Sequence, residues 1–252
     1  MSFNKKFFTT AGIVASSPAA DALTPYIFYK LNNNLNDEQG NHDGSGTSGF
    51  SYGSTSPVKE GQYVQWNGTA NPITTGTYEM ESGDSLSMFI YRGLGISDER
   101  IRIFGNHGTT AYEYVSLVIT KRPTGLQIRS FFRNDVSNFK FYYSTSSNIT
   151  MTQGNWHHFT FNFPSLAELN SSSDLPTNTI TLNGSDIEMY RDSSGGTLTN
   201  LASGDPMRIG VTAVNETNIY NAPTSGHRFD YIKIFQDYHL TADDISDLGS
   251  EV

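Results

Sequence analysis

Trp156-His157-His158-Phe159-Thr160-Phe161-Asn162-Phe163 is the stretch that leaves this chain the fewest options. Phe159, Phe161 and Phe163 alternate with Thr160 and Asn162, the period-two pattern of a strand with one buried and one wetter face. Three aromatic side chains on one face are hidden from water only by a second layer. The stretch therefore predicts a central strand of two packed sheets. Gly154-Asn155 just before it supplies the turn.

The same grammar recurs along the chain. Short alternating or aromatic runs predict strands at 26–31, 62–66, 85–91, 100–104, 112–120, 126–132, 139–144, 179–182, 207–210 and 228–235, separated by Gly, Asn, Pro or Ser. Asn183-Gly184 reads as a tight hairpin turn, because both residues tolerate the positive φ it needs. Residues 165–174 are open between one helical turn and a loop. Thr241, followed by Asp243 and Asp244, predicts the N-cap of a closing helix. With almost no other helical signal, the fold class expected is all-β, a two-sheet antiparallel jelly-roll sandwich. A chain of 252 residues is long enough to bury such a core, and no internal repeat or second domain is visible.

Composition removes several functions. A net charge of −9, with Lys and Arg forming no block, gives nothing to neutralise a row of phosphates, so no nucleic-acid partner is expected. The absence of cysteine excludes a disulfide scaffold, thiol catalysis and Cys-ligated zinc. No apolar run approaches the ~20 residues of a membrane span.

Residues 1–25 differ from the rest. Lys5-Lys6-Phe7-Phe8 superficially resembles a signal peptide, but Thr9-Thr10 interrupts the apolar part. The segment reads instead as an extended N-terminal arm preceding a sandwich over 26–252. Phe7, Phe8, Ile13 and Val14 are its attachment residues, suited to adding a strand to another subunit's sheet edge.

Four stretches in order carry a resemblance. They are Lys30-Leu31-Asn32-Asn33-Asn34-Leu35-Asn36-Asp37 with Gly40 to Gly44, Val64-Gln65-Trp66-Asn67-Gly68, Trp156-His157-His158-Phe159 with Leu182-Asn183-Gly184, and Phe229 to Phe235 running into Leu240-Thr241-Ala242-Asp243-Asp244-Ile245. In that order the chain resembles the laminin-G-like, concanavalin A-like lectin/glucanase superfamily over about 26–248. Phe7 to Ser16 separately resembles the start of tail and appendage proteins of marine bacteriophages. The first resemblance implies a concanavalin A-like sandwich, and calcium as the one cofactor to consider, with Asp37, Asp43 and Asp230 in resembling positions. Asx-turns that cap loop backbone are the alternative for those three. Lectins stack exposed aromatics on sugar rings; Tyr63, Trp66, Tyr112, Tyr114 and Tyr220 are the candidates, with core packing as the other reading.

Catalytic patterns are weak. The Glu-x-Asp-x-Glu type strand of the superfamily's glucanases has no counterpart. Glu79-Met80-Glu81 with Asp84, and Asp186-Ile187-Glu188, sit among turn residues. Arg129, Tyr142, His157 and His158 supply lyase-type side chains without a lyase motif. His157 and His158 are adjacent, so on a strand they face opposite ways and cannot chelate one ion together. The expectation is a non-enzymatic virion protein of a bacteriophage, a capsid decoration or tail appendage on the particle surface. It would be a homo-oligomer bound to other virion proteins through the arm, with cell-surface glycan as a further partner. The alternative is a secreted polysaccharide-degrading glycosidase or lyase on the same fold.

Overall fold

The computed structural model describes residues 23–250 except 47–49, 55–57, 59–60, 67–72, 94–99, 108–113, 146–148, 172–173, 202–204 and 211–225; at 66, 100, 106, 107 and 114 it describes backbone only. Its strands are β1 (Ile27–Tyr29), β2 (Phe50–Gly53), β3 (Tyr63–Trp66), β4 (Ile73–Thr74), β5 (Ser85–Tyr91), β6 (Arg100–His107), β7 (Tyr114–Arg122) and β8 (Gly125–Arg133). They continue with β9 (Phe139–Ser144), β10 (Trp156–Asn162), β11 (Ile180–Leu182), β12 (Ser185–Asp186), β13 (Met189–Gly195), β14 (Arg208–Ile209) and β15 (Arg228–Phe235). Helix α1 (Leu166–Ser171) follows β10, and helix α2 (Ala242–Gly249) follows β15.

The strands form two antiparallel sheets. Sheet one runs β12-β11-β10-β5-β15-β3-β2, with β1 also on β15; sheet two runs β13-β9-β8-β7-β6-β14-β4. This is the all-β jelly-roll sandwich the sequence predicts. Strand β10 pairs with β5 along its whole length, from Trp156 opposite Tyr91 to Asn162 opposite Ser85. Phe159, Phe161 and Phe163 are fully buried in one core between the sheets. Phe161 meets Phe104 of β6 at 5.3 Å between ring centroids, and Phe163 meets Phe132 of β8 at 5.8 Å, so this one stretch ties both layers together. Each such ring contributes on the order of 1.5–3 kcal/mol by leaving water.

One expectation needs correcting. Thr160 and Asn162 do not face water; both are buried. The residues leading into α2 lie over this side of the sheet. The Asn162 side-chain amide accepts from Leu240 N at 2.9 Å and donates to Leu240 O at 3.0 Å. Thr160 and Thr181 share a hydroxyl hydrogen bond of 2.7 Å. The outer face of sheet one is therefore a second packed surface. A bulge in β15 adds to it: Tyr231 takes φ 48° between Asp230 and Lys233 and joins Val58 and Phe89 in a small cluster outside the core. An aromatic residue there is strained, and the contacts on that face hold it.

Packing begins before Tyr26. Leu23 lies against Phe235, Leu240, Ile245 and Leu248, the cluster that seats α2. Phe7, Phe8, Ile13 and Val14, which the sequence suggests as attachment residues, lie outside the described residues.

Candidate functional site

The register of sheet two decides what its outward face presents. Ile209, Phe104, Val115, Leu117, Ile128 and Phe132 point into the core, so their neighbours along each strand point away. Paired across the sheet, the outward residues fall in rows. One row runs Arg208 on β14, Gly105 on β6, Ser116 on β7, Phe131 on β8, Phe141 on β9 and Ser193 on β13. The next runs Arg102, Val118, Arg129, Tyr143 and Tyr190. Three ladder steps of about 4.8 Å put the Arg208 and Phe131 backbones roughly 14 Å apart. Between them lie Gly105 and Ser116, both buried although they face away from the core.

One side of this row is aromatic. The half-buried Phe131 ring stacks on Phe141 at 4.1 Å between centroids; Phe141 itself is 6% exposed, with Arg129 5.2 Å over it, and Tyr143 and Tyr190 continue the side at 6.5 Å. The other side is cationic, with Arg208 and Arg102. Apart from Asp192 at the bulge of edge strand β13, no acidic residue occupies the described strands of this sheet. Arg102 is only 7% exposed although it faces away from the core, so its charge acts in a lower dielectric than a surface arginine's. Nη1 of Arg208 is buried with no hydrogen-bond partner. Planar guanidinium groups beside stacked rings can pair with a carboxylate or sulfate while the rings take an apolar face.

The sequence candidates end up elsewhere. Asp37 caps a loop: its carboxylate accepts from the backbone N–H groups of Phe28 (2.7 Å), Gln39 (3.1 Å), Asn41 (2.9 Å) and His42 (3.0 Å). Burial opposes its ionisation, yet those four donors outweigh burial and hold the carboxyl below the usual range. Asp43 accepts from Asp37 N at 2.9 Å in the same loop. Asp230 belongs to β15, where it is fully buried and accepts from Val58 N at 3.2 Å and Tyr231 N at 2.9 Å. Desolvation pushes its pKa up to about 7 despite those two donors. The three carboxylates are not one donor set; among the described residues no group of three His, Asp or Glu side chains converges to hold a metal ion.

Tyr63 is corrected as a stacking residue. It is 4% exposed, with Arg228 4.4 Å over its ring and Trp156 edge-on at 5.9 Å, which leaves no ring face for a sugar. Tyr112 and Tyr220 lie outside the described residues, and Trp66 and Tyr114 are described by backbone alone. Of the carboxylates weighed for catalysis, Asp84 is buried and accepts from the Tyr78 hydroxyl, Glu81 N and Asp237 N. Glu188 accepts from the Tyr190 hydroxyl, and Asp186 accepts from Asn178 N. Tyr142 is core, while Arg129 sits on the outward face described above. His157 and His158 do face opposite ways, and both are buried. Ser87 Oγ lies 2.9 Å from His158 Nε2, but the serine is buried and Nδ1 has no carboxylate to orient the ring, so the pair lacks the parts of a hydrolytic triad. Phe131, Phe141, Arg102 and Arg208 were missed as site residues. The signal was there in the alternation of 125–133, whose second face reads Gln127, Arg129, Phe131, Arg133.

These features define an antiparallel jelly-roll sandwich with an arginine- and aromatic-lined outer face. Domain 4 of AbnA, a GH43 extracellular arabinanase from Geobacillus stearothermophilus solved with arabinotriose, is similar to it at TM-score 0.58 and 16% identity, over 90% of this chain and 98% of that one. The Trypanosoma rangeli sialidase, solved as a covalent intermediate with 2,3-difluorosialic acid, is similar at TM-score 0.55 and 11% identity. That match covers 94% of this chain and 35% of the sialidase. What is shared at such identities is the fold, a two-sheet antiparallel sandwich. No family model matches the chain, and no curated protein matches it in sequence.

Proposed function

We propose that this chain is a non-catalytic, laminin-G-like glycan-binding protein that recognises anionic glycans of a host surface through the outward face of sheet two. The observation that carries the reading is the outward row that places Arg208, whose Nη1 has no hydrogen-bond partner, and the half-buried Phe131 on the same face of sheet two. A sugar bound at this face places one apolar face against Phe131 and its carboxylate or sulfate toward Arg208. The carboxylates weighed for catalysis support the non-enzymatic half, since Asp84, Asp186 and Glu188 are engaged in local hydrogen bonds. The particle is the second half of the proposal. It is a bacteriophage capsid decoration or tail appendage, supported by the resemblance of residues 7–16 to phage appendage proteins. In this reading the arm joins other virion proteins and copies of the chain by strand addition.

Calorimetry with alginate-derived oligouronates and with neutral β-glucan oligomers tests the face. Binding of the acidic set alone, weakened by salt and reduced roughly 10–100-fold by Arg208→Gln, is the expected result. Equal binding of both sets removes the reading. Release of reducing ends or unsaturated sugars from the same polysaccharides overturns the non-catalytic part. Mass spectrometry of purified particles decides the virion part.

A further inference from the structure

We infer a second carbohydrate site, for an uncharged sugar, in a cleft on the opposite side of the sandwich, between α2 and the outer face of sheet one. The cleft encloses about 570 Å³, within the range of small-molecule sites. Its floor is aromatic. Phe89 of β5 and His158 of β10 stack at 4.9 Å between ring centroids, and the half-buried indole of Trp156 closes one end. Its rim is hydroxylic, with Ser185 on the hairpin and Ser246 and Ser250 on α2, all exposed. Among the described residues no Asp, Glu, Lys or Arg side chain lines it.

Local structure explains why this space stays open. Asn183 turns the β11–β12 hairpin at φ 51°, and its amide is spent on the backbone N–H of His158 (3.1 Å) and the ring of His157 (3.0 Å). The turn is thereby fixed to β10 as one wall. Gly249 in the last turn of α2 forms the other wall beside His158. A Cβ at that position would lie 3.0 Å from His158 Nδ1 and fill the bottom of the cleft.

The chemistry of the lining selects the ligand class. The charge of Lys233 reaches His158, but among the described residues no charged side chain lines the cleft to pair with a charged ligand. A purely apolar one leaves Nδ1 of His158 unmatched. Nδ1 of His158 has no hydrogen-bond partner and the residue is 5% exposed. Its Nε2 shares one hydrogen bond with the Ser87 hydroxyl, so Nδ1 is a donor in one tautomer and an acceptor in the other. A hydroxyl satisfies either. A neutral hexose or disaccharide offers hydroxyls around its edge and an apolar C–H face for Trp156 and Phe89. This site is independent of the anionic face on sheet two, so each can fail without the other.

The test uses the full chain carrying Trp66→Phe, which leaves Trp156 as its one tryptophan, titrated with glucose, galactose, mannose, lactose and maltose while indole emission is followed. A saturable emission shift with at least one of these sugars is expected. Ser246→Phe, a change at an exposed position that narrows the cleft, should abolish the shift while oligouronate binding to sheet two persists. No shift with any of them, or a shift that survives Ser246→Phe, overturns the assignment. If Ser246→Phe instead converts an oligomer to a monomer in sedimentation, the cleft is a contact between chains and the sugar assignment falls.

Discussion

At the scale of single residues, two buried titratable groups on the outer face of sheet one have opposite effects on stability. Desolvation raises the Asp230 carboxyl to about 7, against about 3.9 for an unfolded chain. Between those values the native state keeps a proton that the unfolded state has lost. Its contribution therefore falls as pH rises from about 4 to about 7 and is constant above. His158 is the converse: burial first, then the charge of Lys233, hold its pKa down at about 4. From about pH 4 to about 6.5 the unfolded chain keeps the extra proton, so this contribution grows with pH. Each slope is at most about 1.4 kcal/mol per pH unit and the two offset each other. Asp230→Asn should make the melting temperature rise with pH across that window, and His158→Gln should make it fall. Parallel profiles for the two variants would refute both assignments. Asp37 behaves in the ordinary sense, its stabilisation being present above the unfolded carboxylate pKa and lost as pH falls below it. Asp37→Asn replaces an acceptor of four backbone donors by an amide with one oxygen. A loss of about 2–4 kcal/mol in urea unfolding is expected.

At the scale of elements, helix α2 is the most testable piece. Thr241 caps it reciprocally: its hydroxyl accepts from Asp244 N at 3.3 Å while the Asp244 carboxylate accepts from Thr241 N at 2.8 Å. Thr241→Ala should cost about 1 kcal/mol and speed amide exchange through α2, with the strands of both sheets unchanged. Uniformly faster exchange would mean that the helix is integral to the sandwich rather than seated on it. This element was legible because the cap chemistry lies within four residues. So were β5, β9 and β15, whose apolar alternation matches their bounds, and the Asn183-Gly184 turn, with φ of 51° and 75°. Strand β13 was not legible: Met189-Tyr190-Arg191-Asp192-Ser193-Ser194-Gly195 is a polar, bulged strand at the end of its sheet, with a single bridge from Tyr190 to Asp174 beyond its pairing with β9, and it carries no buried alternation. The outer face of sheet one misled for a related reason. Thr160 and Asn162 are polar, which in isolation means water, yet they are sealed by chain some 80 positions away, as the bonds to Leu240 show. The sites share that limit. Arg208 and Phe131 become neighbours on one face only through β6 and β7, a relation no local window contains.

At the scale of the whole molecule, the question is where the proposed N-terminal arm ends and the sandwich begins. Composition places the boundary at residue 25. Packing places it earlier, because Leu23 belongs with Phe235, Leu240, Ile245 and Leu248, and Tyr26 N donates to Ile234 O at 2.8 Å. Removing residues 1–25 therefore also removes an apolar contact beneath α2. A loss of assembly after that deletion would mix two causes. Removing residues 1–22 separates them: Leu23 stays, the closing helix keeps its seat, and Phe7, Phe8, Ile13 and Val14 are gone. If the arm attaches this chain to its neighbours by strand addition, the shortened chain should melt within a degree or so of the full one. A change of about 0.3 kcal/mol corresponds to that shift in a protein of this size. It should also sediment as a monomer and no longer join purified particles. A shortened chain that still forms the full-length oligomer places the contact on the sandwich itself, and the attachment role of the arm is then wrong.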